Sequence, residues 1–160
     1  MYYIKYPIKS SENFLEVATT RPETMFSDVA LAINPQDSRA KQLIKEVIIH
    51  PLTNKEIPII LSNKIDPNFG SGIMKVSAHA VDDIEIIIEN KLPINECINK
   101  DGKLNDLAGE FKGLDRFEAR EKIAHLLSQK GLLIKEEEVV SNIGYSERSK
   151  APIEILVQPQ

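Results

Sequence analysis

The sequence predicts an α+β chain: a mixed, largely antiparallel β-barrel-like core with flanking helices. Three observations lead there. Short apolar, β-branched runs are interleaved irregularly with stretches of helical spacing. Residues 47–49 and 57–61 flank the turn-rich stretch 51–55, the pattern of a hairpin. Residues 117–130 place Phe117, Ala119, Ile123, Ala124 and Leu127 on an approximate helical stripe that Gly131 stops.

In chain order, residues 2–8 alternate imperfectly and read as a first strand, 9–13 as a turn and 14–20 as a second strand. Pro22 suits the first position of a short helix through residue 26, and Glu23 near its start complements the helix dipole. Residues 29–33 read as a buried strand stopped by Asn34-Pro35. Residues 38–47 have helical spacing, with Ala40, Leu43 and Ile44 on one side. The stretch 63–72 is irregular, 73–77 is a short strand, and 81–91 is a helix rich in isoleucine. Residues 95–107 are turn-rich. After the 117–130 helix, 132–140 reads as a strand, 142–149 as a polar loop and 153–157 as a last short strand. One domain over 1–160 is expected, within which 95–160 can form a subdomain. The chain begins inside a strand and ends without a tail, as an excised insertion would.

Composition excludes several classes. At 160 residues, 42% hydrophobic and 28% charged, the chain can bury a core without staples. The single Cys97 cannot form an internal disulfide and fits a reducing, cytoplasmic setting. No apolar run approaches the roughly 20 residues of a membrane-spanning helix, so no membrane partner is expected. A net charge of −4 argues against a generic nucleic-acid binder; any RNA contact must be local.

Two polar knots stand out. In the first, Thr19, Thr20 and Thr24 surround Arg21, Pro22 and Glu23. They can line a pocket with a guanidinium at its mouth, or simply end a strand and cap a helix. Thr19 and Thr20 share a face only if the strand is already bending. In the second, Lys75, Ser77 and His79 are spaced by two and share a face of an extended chain. His79 reads as a structural residue or a weak catalytic candidate. Asp82 and Asp83 suit a helix start, and Asp83 can equally hold a ligand ammonium. His79 and Asp83 lack further histidine or cysteine company, so neither metal nor cofactor is expected. Gly70-Ser71-Gly72 permits close approach to a phosphate or ribose, or forms a plain turn. Glu136 to Glu138 read as a solvated face, and Arg116, Arg120, Arg148 and Lys150 as scattered cations able to touch phosphates.

Motifs and order together resemble the connective-peptide editing domain inserted in valyl-tRNA synthetase, of the class I aminoacyl-tRNA synthetase family. The likeness runs from Ala18-Thr19-Thr20-Arg21-Pro22-Glu23-Thr24-Met25 through Ala32-Ile33-Asn34-Pro35-Gln36-Asp37 and Asn54-Lys55-Glu56-Ile57-Pro58-Ile59. It continues in Phe69-Gly70-Ser71-Gly72, Ala78-His79, Gly113-Leu114-Asp115-Arg116-Phe117 and Ser146-Glu147-Arg148-Ser149, covering essentially the whole chain. Leucyl enzymes share a similar first motif, whereas isoleucyl enzymes usually carry a tryptophan there, absent here.

The resemblance implies the class I synthetase editing-domain fold and hydrolysis of threonine esterified in error to tRNA(Val). A pocket shaped for valine cannot strongly reject an isostere bearing a hydroxyl, whereas a second pocket built to hydrogen-bond that hydroxyl selects it. It implies catalytic roles for Asp83, Thr19 and Thr20. Asp83 would hold the α-amino group, and the two threonines would border the terminal adenosine and the ester. Thr24, Lys75, Ser77, His79 and Asp82 are the implied substrate-binding residues, with Lys75 and Ser77 reading the threonine side chain. Arg21 and Arg148 would contact tRNA. Water would be the nucleophile, assisted by a ribose hydroxyl. The partners would be the tRNA(Val) acceptor end and the rest of the parent synthetase.

The chain departs from the family pattern Lys-x-Thr-Pro-Ala-His-Asp-x-x-Asp, reading Lys75-Val76-Ser77-Ala78-His79-Ala80-Val81-Asp82-Asp83. One residue is missing before the histidine, and Ala80 stands where the pattern has an aspartate, for which Asp82 is the candidate replacement. A residue lost within a strand reverses the facing of every later side chain in that strand. A second expectation therefore stands beside the first: an insertion that binds the tRNA end, or braces the synthetase, without hydrolysing anything.

Overall fold

Tyr2–Pro7 (β1) and Phe14–Thr19 (β2) pair antiparallel, with Tyr2 opposite Thr19 and Pro7 opposite Phe14. The computed structural model describes residues 1–138. The expected loop at 142–149, the strand at 153–157 and Arg148 lie outside the described residues. Leu133–Glu136 (β7) joins the other edge of β1, completing a three-stranded sheet ordered β2-β1-β7.

The second sheet is built from Ala30–Ile33 (β3), Val47–Ile49 (β4), Glu56–Leu61 (β5) and Ile73–Val76 (β6), ordered β4-β5-β3-β6. The hairpin expected at 47–61 forms as β4 and β5. The β3–β5 pair is parallel. Residues 34–55 between those strands are long enough to cross over, as a parallel pair requires. All four residues of β3 are buried, because this strand is covered on both faces.

The sheets meet along both margins. Ile8 bridges Ile48, and the Lys9 amide donates to the Val47 carbonyl at 2.8 Å. On the other side β2 runs beside β6, and the Ser71 hydroxyl bonds the Glu16 carbonyl. The result is a partly closed barrel. Its interior takes Ile4, Tyr6, Val17, Leu31, Ile33, Ile48 and Ile73. Alternate residues of β3, Ala30 and Ala32, face outward against Ile86 and Ile87 of the helix Val81–Glu89.

The helix expected at 38–47 is short. Only Ala40–Leu43 (α1) is α-helical, Ile44 still donates to the Ala40 carbonyl, and residues 45 and 46 close with i→i+3 bonds to Gln42 and Leu43. The β-branched run from Val47 leaves the helix because it pairs with β5. Val81–Glu89 (α2) and Arg116–Gln129 (α3) lie where helical spacing predicts them. Asp115 caps α3 by accepting the Phe117 amide at 2.9 Å, and Ala119, Ile123, Ala124 and Leu127 form its buried stripe. Phe117 is not on that stripe. It sits outside, flanked by the Arg116 and Arg120 guanidinia at 4.9 and 5.2 Å from its ring centre. A 3-10 turn, Asp106–Phe111, occupies a stretch read only partly, as turn-rich, from sequence. Among the described residues no helix is long and apolar enough to cross a membrane.

Candidate active site

β2 ends at Thr19, and Pro22 then starts a 3-10 turn, Pro22–Ser27, because its fixed φ suits a first helical position. The Thr19 hydroxyl accepts the Arg21 amide at 3.0 Å. The Thr24 hydroxyl donates to the Arg21 carbonyl at 2.8 Å. These two bonds bend the chain as it leaves the strand, so Thr19, Thr20, Arg21 and Thr24 all line one wall of a cavity.

The opposite wall comes from the end of β6 and the start of α2. Lys75, Ser77, His79, Ala80 and Asp83 line it, and the cavity between the walls holds about 180 Å³. β6 ends at Val76, so the missing residue falls beyond the strand and flips nothing within it. Lys75 and Ser77 accordingly share the pocket face. Asp82 does not reach the cavity. It lies on the exposed side of α2, because successive helical residues turn away from one another.

Phe69 completes the rim and leads into a glycine-bearing turn. Gly70 has φ +56°, and a Cβ there would lie 2.9 Å from the Cβ of Ala18. Gly72 has φ +79°, and a Cβ there would meet Arg39 and the Pro67 carbonyl. The left-handed backbone and the lack of a side chain let this turn close onto β2. Arg39, held in a fork by Asp37, donates to the Ser71 carbonyl at 2.8 Å and anchors the turn from outside. That fork holds the Asp37 carboxyl down at about 2.

Asp83 is buried, and one carboxylate oxygen accepts the Ser77 amide at 3.0 Å. Burial pushes its carboxyl up to about 6, against the lowering pull of the Ser77 amide and the Lys75 ammonium. His79 is also buried, and its Nε2 accepts the Cys97 amide at 3.0 Å. That nitrogen is committed to the backbone. The His79 carbonyl accepts from Arg21 Nη1 at 3.1 Å, tying the two walls together. Cys97 packs beneath, and burial pushes its thiol up to about 11, which suits a core residue and not a nucleophile.

Two buried ionic groups behind the pocket have no signature in the spacing of the sequence. Glu23, fully buried, accepts a two-pronged contact from Arg120 of α3 at 2.9 and 2.8 Å and another from Arg21 at 3.2 Å. Arg120 is therefore spent inside the fold and is not a phosphate contact. The Asp28 side chain is likewise fully buried. It accepts from Lys75 Nζ at 2.9 Å, the Tyr6 hydroxyl at 2.7 Å and His50 Nε2 at 2.9 Å. His50 Nδ1 accepts the amides of Leu52 and Thr53, which places the ring proton on Nε2, facing Asp28. Burial raises the Asp28 carboxyl, but Lys75 and His50 outweigh it and hold the group below the ordinary carboxylate range. Tyr6, Asp28 and His50 come from separate elements, so only the folded chain brings them together. Among the described residues no three histidine, cysteine or acidic side chains are grouped to hold a metal.

The chain matches a family model described as leucyl-tRNA synthetase, editing domain, over residues 42–128. It superposes on GlLeuRS-CP1 with a TM-score of 0.64 at 16% identity, covering 79% of this chain and 84% of that one. A LeuRS of Agrobacterium radiobacter K84, in a ternary complex with tRNA and LeuAMS, gives 0.65 at 18% identity over 81% of this chain and 19% of that one. The chain belongs to the aminoacyl-tRNA synthetase editing-domain family, as its motifs predict. Within that family its full-length likeness is to valine--tRNA ligases. That of Mycoplasmopsis pulmonis is 52% identical over 160 residues, and that of Thermosynechococcus vestitus 45% identical over 161. Both matches take in all of this chain, which spans only 19% and 18% of the two relatives.

Proposed function

We propose that this chain is the editing site of a valine--tRNA ligase and hydrolyses the ester of Thr-tRNA(Val). One observation carries the reading: Lys75, Ser77 and Asp83 converge with Thr19, Thr20 and Thr24 on one cavity, although some fifty residues of chain separate the two sets. Asp83 anchors the α-ammonium, a charge-assisted contact in a site screened from water. Lys75 and Ser77 offer donors to the threonine hydroxyl, groups that a valine side chain would leave unpaired. Thr19, Thr20 and Thr24 border the ester and the terminal adenosine, with Arg21 beside the incoming RNA. His79 shapes the pocket floor through its backbone contacts. A water held between the walls attacks the ester carbonyl, and the ribose hydroxyl is the leaving group.

Ala80 favours a second reading. It puts a methyl in the lining where the related pattern carries a carboxylate, which suits a module that holds the tRNA end without hydrolysis. Deacylation by the full-length synthetase separates the two. Release of threonine from Thr-tRNA(Val) well above the spontaneous rate, with Val-tRNA(Val) spared, is the expected result. Release no faster than the spontaneous rate would leave only the second reading.

A further inference from the structure

The pocket holds a cation and an anion that are not paired with each other. Lys75 Nζ lies 3.4 Å from the Ser77 hydroxyl, and the Ser77 amide lies 3.0 Å from the Asp83 carboxylate, so a single residue separates the two charges. Left alone, a buried ammonium and a buried carboxylate this close would pair, since each loses hydration and gains from the other. Lys75 instead points to Asp28 at 2.9 Å, on the inner side of the barrel.

Asp28 is built to keep it there. Its side chain is fully buried, and Tyr6 and the Nε2 proton of His50 both donate to the oxygen that Lys75 does not use. Both donors are themselves buried, Tyr6 in the barrel interior and His50 on the turn after β4. The carboxylate is therefore fixed from behind and offers its remaining oxygen only toward Lys75.

We propose that Asp28 is a positioning residue that withholds Lys75 from Asp83, leaving the Asp83 carboxylate as the unbalanced negative charge that recognises an ammonium-bearing ligand. The inference rests on the proposed function for the identity of that ligand, an aminoacyl ester with a free α-amino group, but not for the charge arrangement. Without Asp28, Lys75 swings to Asp83, occupies the ammonium site and repels an incoming amine. Neither Asp28 nor Tyr6 nor His50 lines the cavity, so none of the three touches the ligand.

The test compares full-length synthetase with its Asp28→Asn, Lys75→Met and Asp28→Asn/Lys75→Met variants. Two readouts are used: deacylation of Thr-tRNA(Val), and binding of a non-hydrolysable amide-linked threonyl-adenosine in free-amine and N-acetylated forms. Asp28→Asn is expected to weaken the free-amine form by about tenfold or more and the N-acetylated form far less. Lys75→Met added to Asp28→Asn should restore most of the preference for the free amine, which a merely structural loss would not do. Equal weakening of both forms, or no recovery in the double variant, overturns the proposal. If wild-type enzyme binds the analogue with a free-amine preference but releases no threonine, the hydrolytic reading fails and the role of Asp28 is still decided by binding. Wild-type enzyme that binds neither form, or binds both equally, defeats the proposal outright.

Discussion

Burial holds the Asp83 carboxyl at about 6, so protonation competes with ligand binding just below neutrality. An ammonium anchor must be ionised. We expect kcat/KM for deacylation, taken relative to the spontaneous rate, to fall about tenfold per pH unit below about 6. Asp83→Asn keeps an acceptor for the Ser77 amide but loses the charge, and should lower deacylation roughly a hundredfold. A variant retaining full activity would remove Asp83 from the mechanism. Gly70→Ala adds a Cβ 2.9 Å from Ala18 at a left-handed φ, and should cost about 1–2 kcal/mol in urea unfolding. At this scale the sequence was legible where chemistry is local. The threonine knot and the alternating Lys75, Ser77 and His79 announce themselves by composition and spacing, the resemblance adds Asp83, and all of them line one cavity. The resemblance offers Asp82 as a replacement carboxylate, but a residue next to Asp83 on a helix faces elsewhere, and Asp82 is exposed outside the cavity.

Between elements, the pocket wall is braced by ionic contacts that spacing does not reveal. Arg120 on α3 grips Glu23 in the 3-10 turn, and Arg21 joins Glu23 to the His79 carbonyl on the far wall. Removing Arg120 takes away the two-pronged contact and leaves the buried Glu23 carboxylate leaning on the longer 3.2 Å contact from Arg21. Arg120→Met should therefore destabilise the domain by about 3 kcal/mol, and adding Glu23→Gln should recover part of that loss. Chemical denaturation of Arg120→Met, Glu23→Gln and the double variant measures the coupling; additive losses would contradict it. Arg120 reads from sequence as one more surface cation, since nothing in an i, i+4 pattern points to a residue 97 positions away. The shortened α1 has a similar cause. Helical spacing continues to residue 47, but pairing of Val47 with Pro58 in β5 overrides it. Helix α2 is readable from its isoleucine-rich run and acidic first turn, and α3 from its apolar stripe and the Gly131 stop.

For the whole molecule, the perturbed carboxylates set opposing pH slopes. Asp28 and Asp37 titrate below the ordinary value of 3.8, so the stability they contribute is present above it and is lost as pH falls through their folded-state values. Asp83 titrates above 3.8, so its contribution is full below that value and disappears as pH rises through about 6. Thermal stability should peak near pH 4 and fall between about pH 4 and 6. Asp83→Asn should flatten that decline, a gain of at most about 3 kcal/mol that is complete above about pH 6 and still present at pH 8. The barrel itself was readable as a class from its short strands, whereas the parallel β3–β5 pair was not, since β-branched runs carry no sign of direction. At every scale the proposed function rests on one cavity, lined by Asp83 on one wall and the threonine knot on the other. The most direct measurement is a structure of the full-length synthetase with amide-linked threonyl-adenosine in the editing pocket. The account predicts the α-ammonium within hydrogen-bonding distance of the Asp83 carboxylate, the side-chain hydroxyl beside Ser77 and the adenosine against Thr19 to Arg21; an analogue bound in the reverse sense, or outside this cavity, would contradict it.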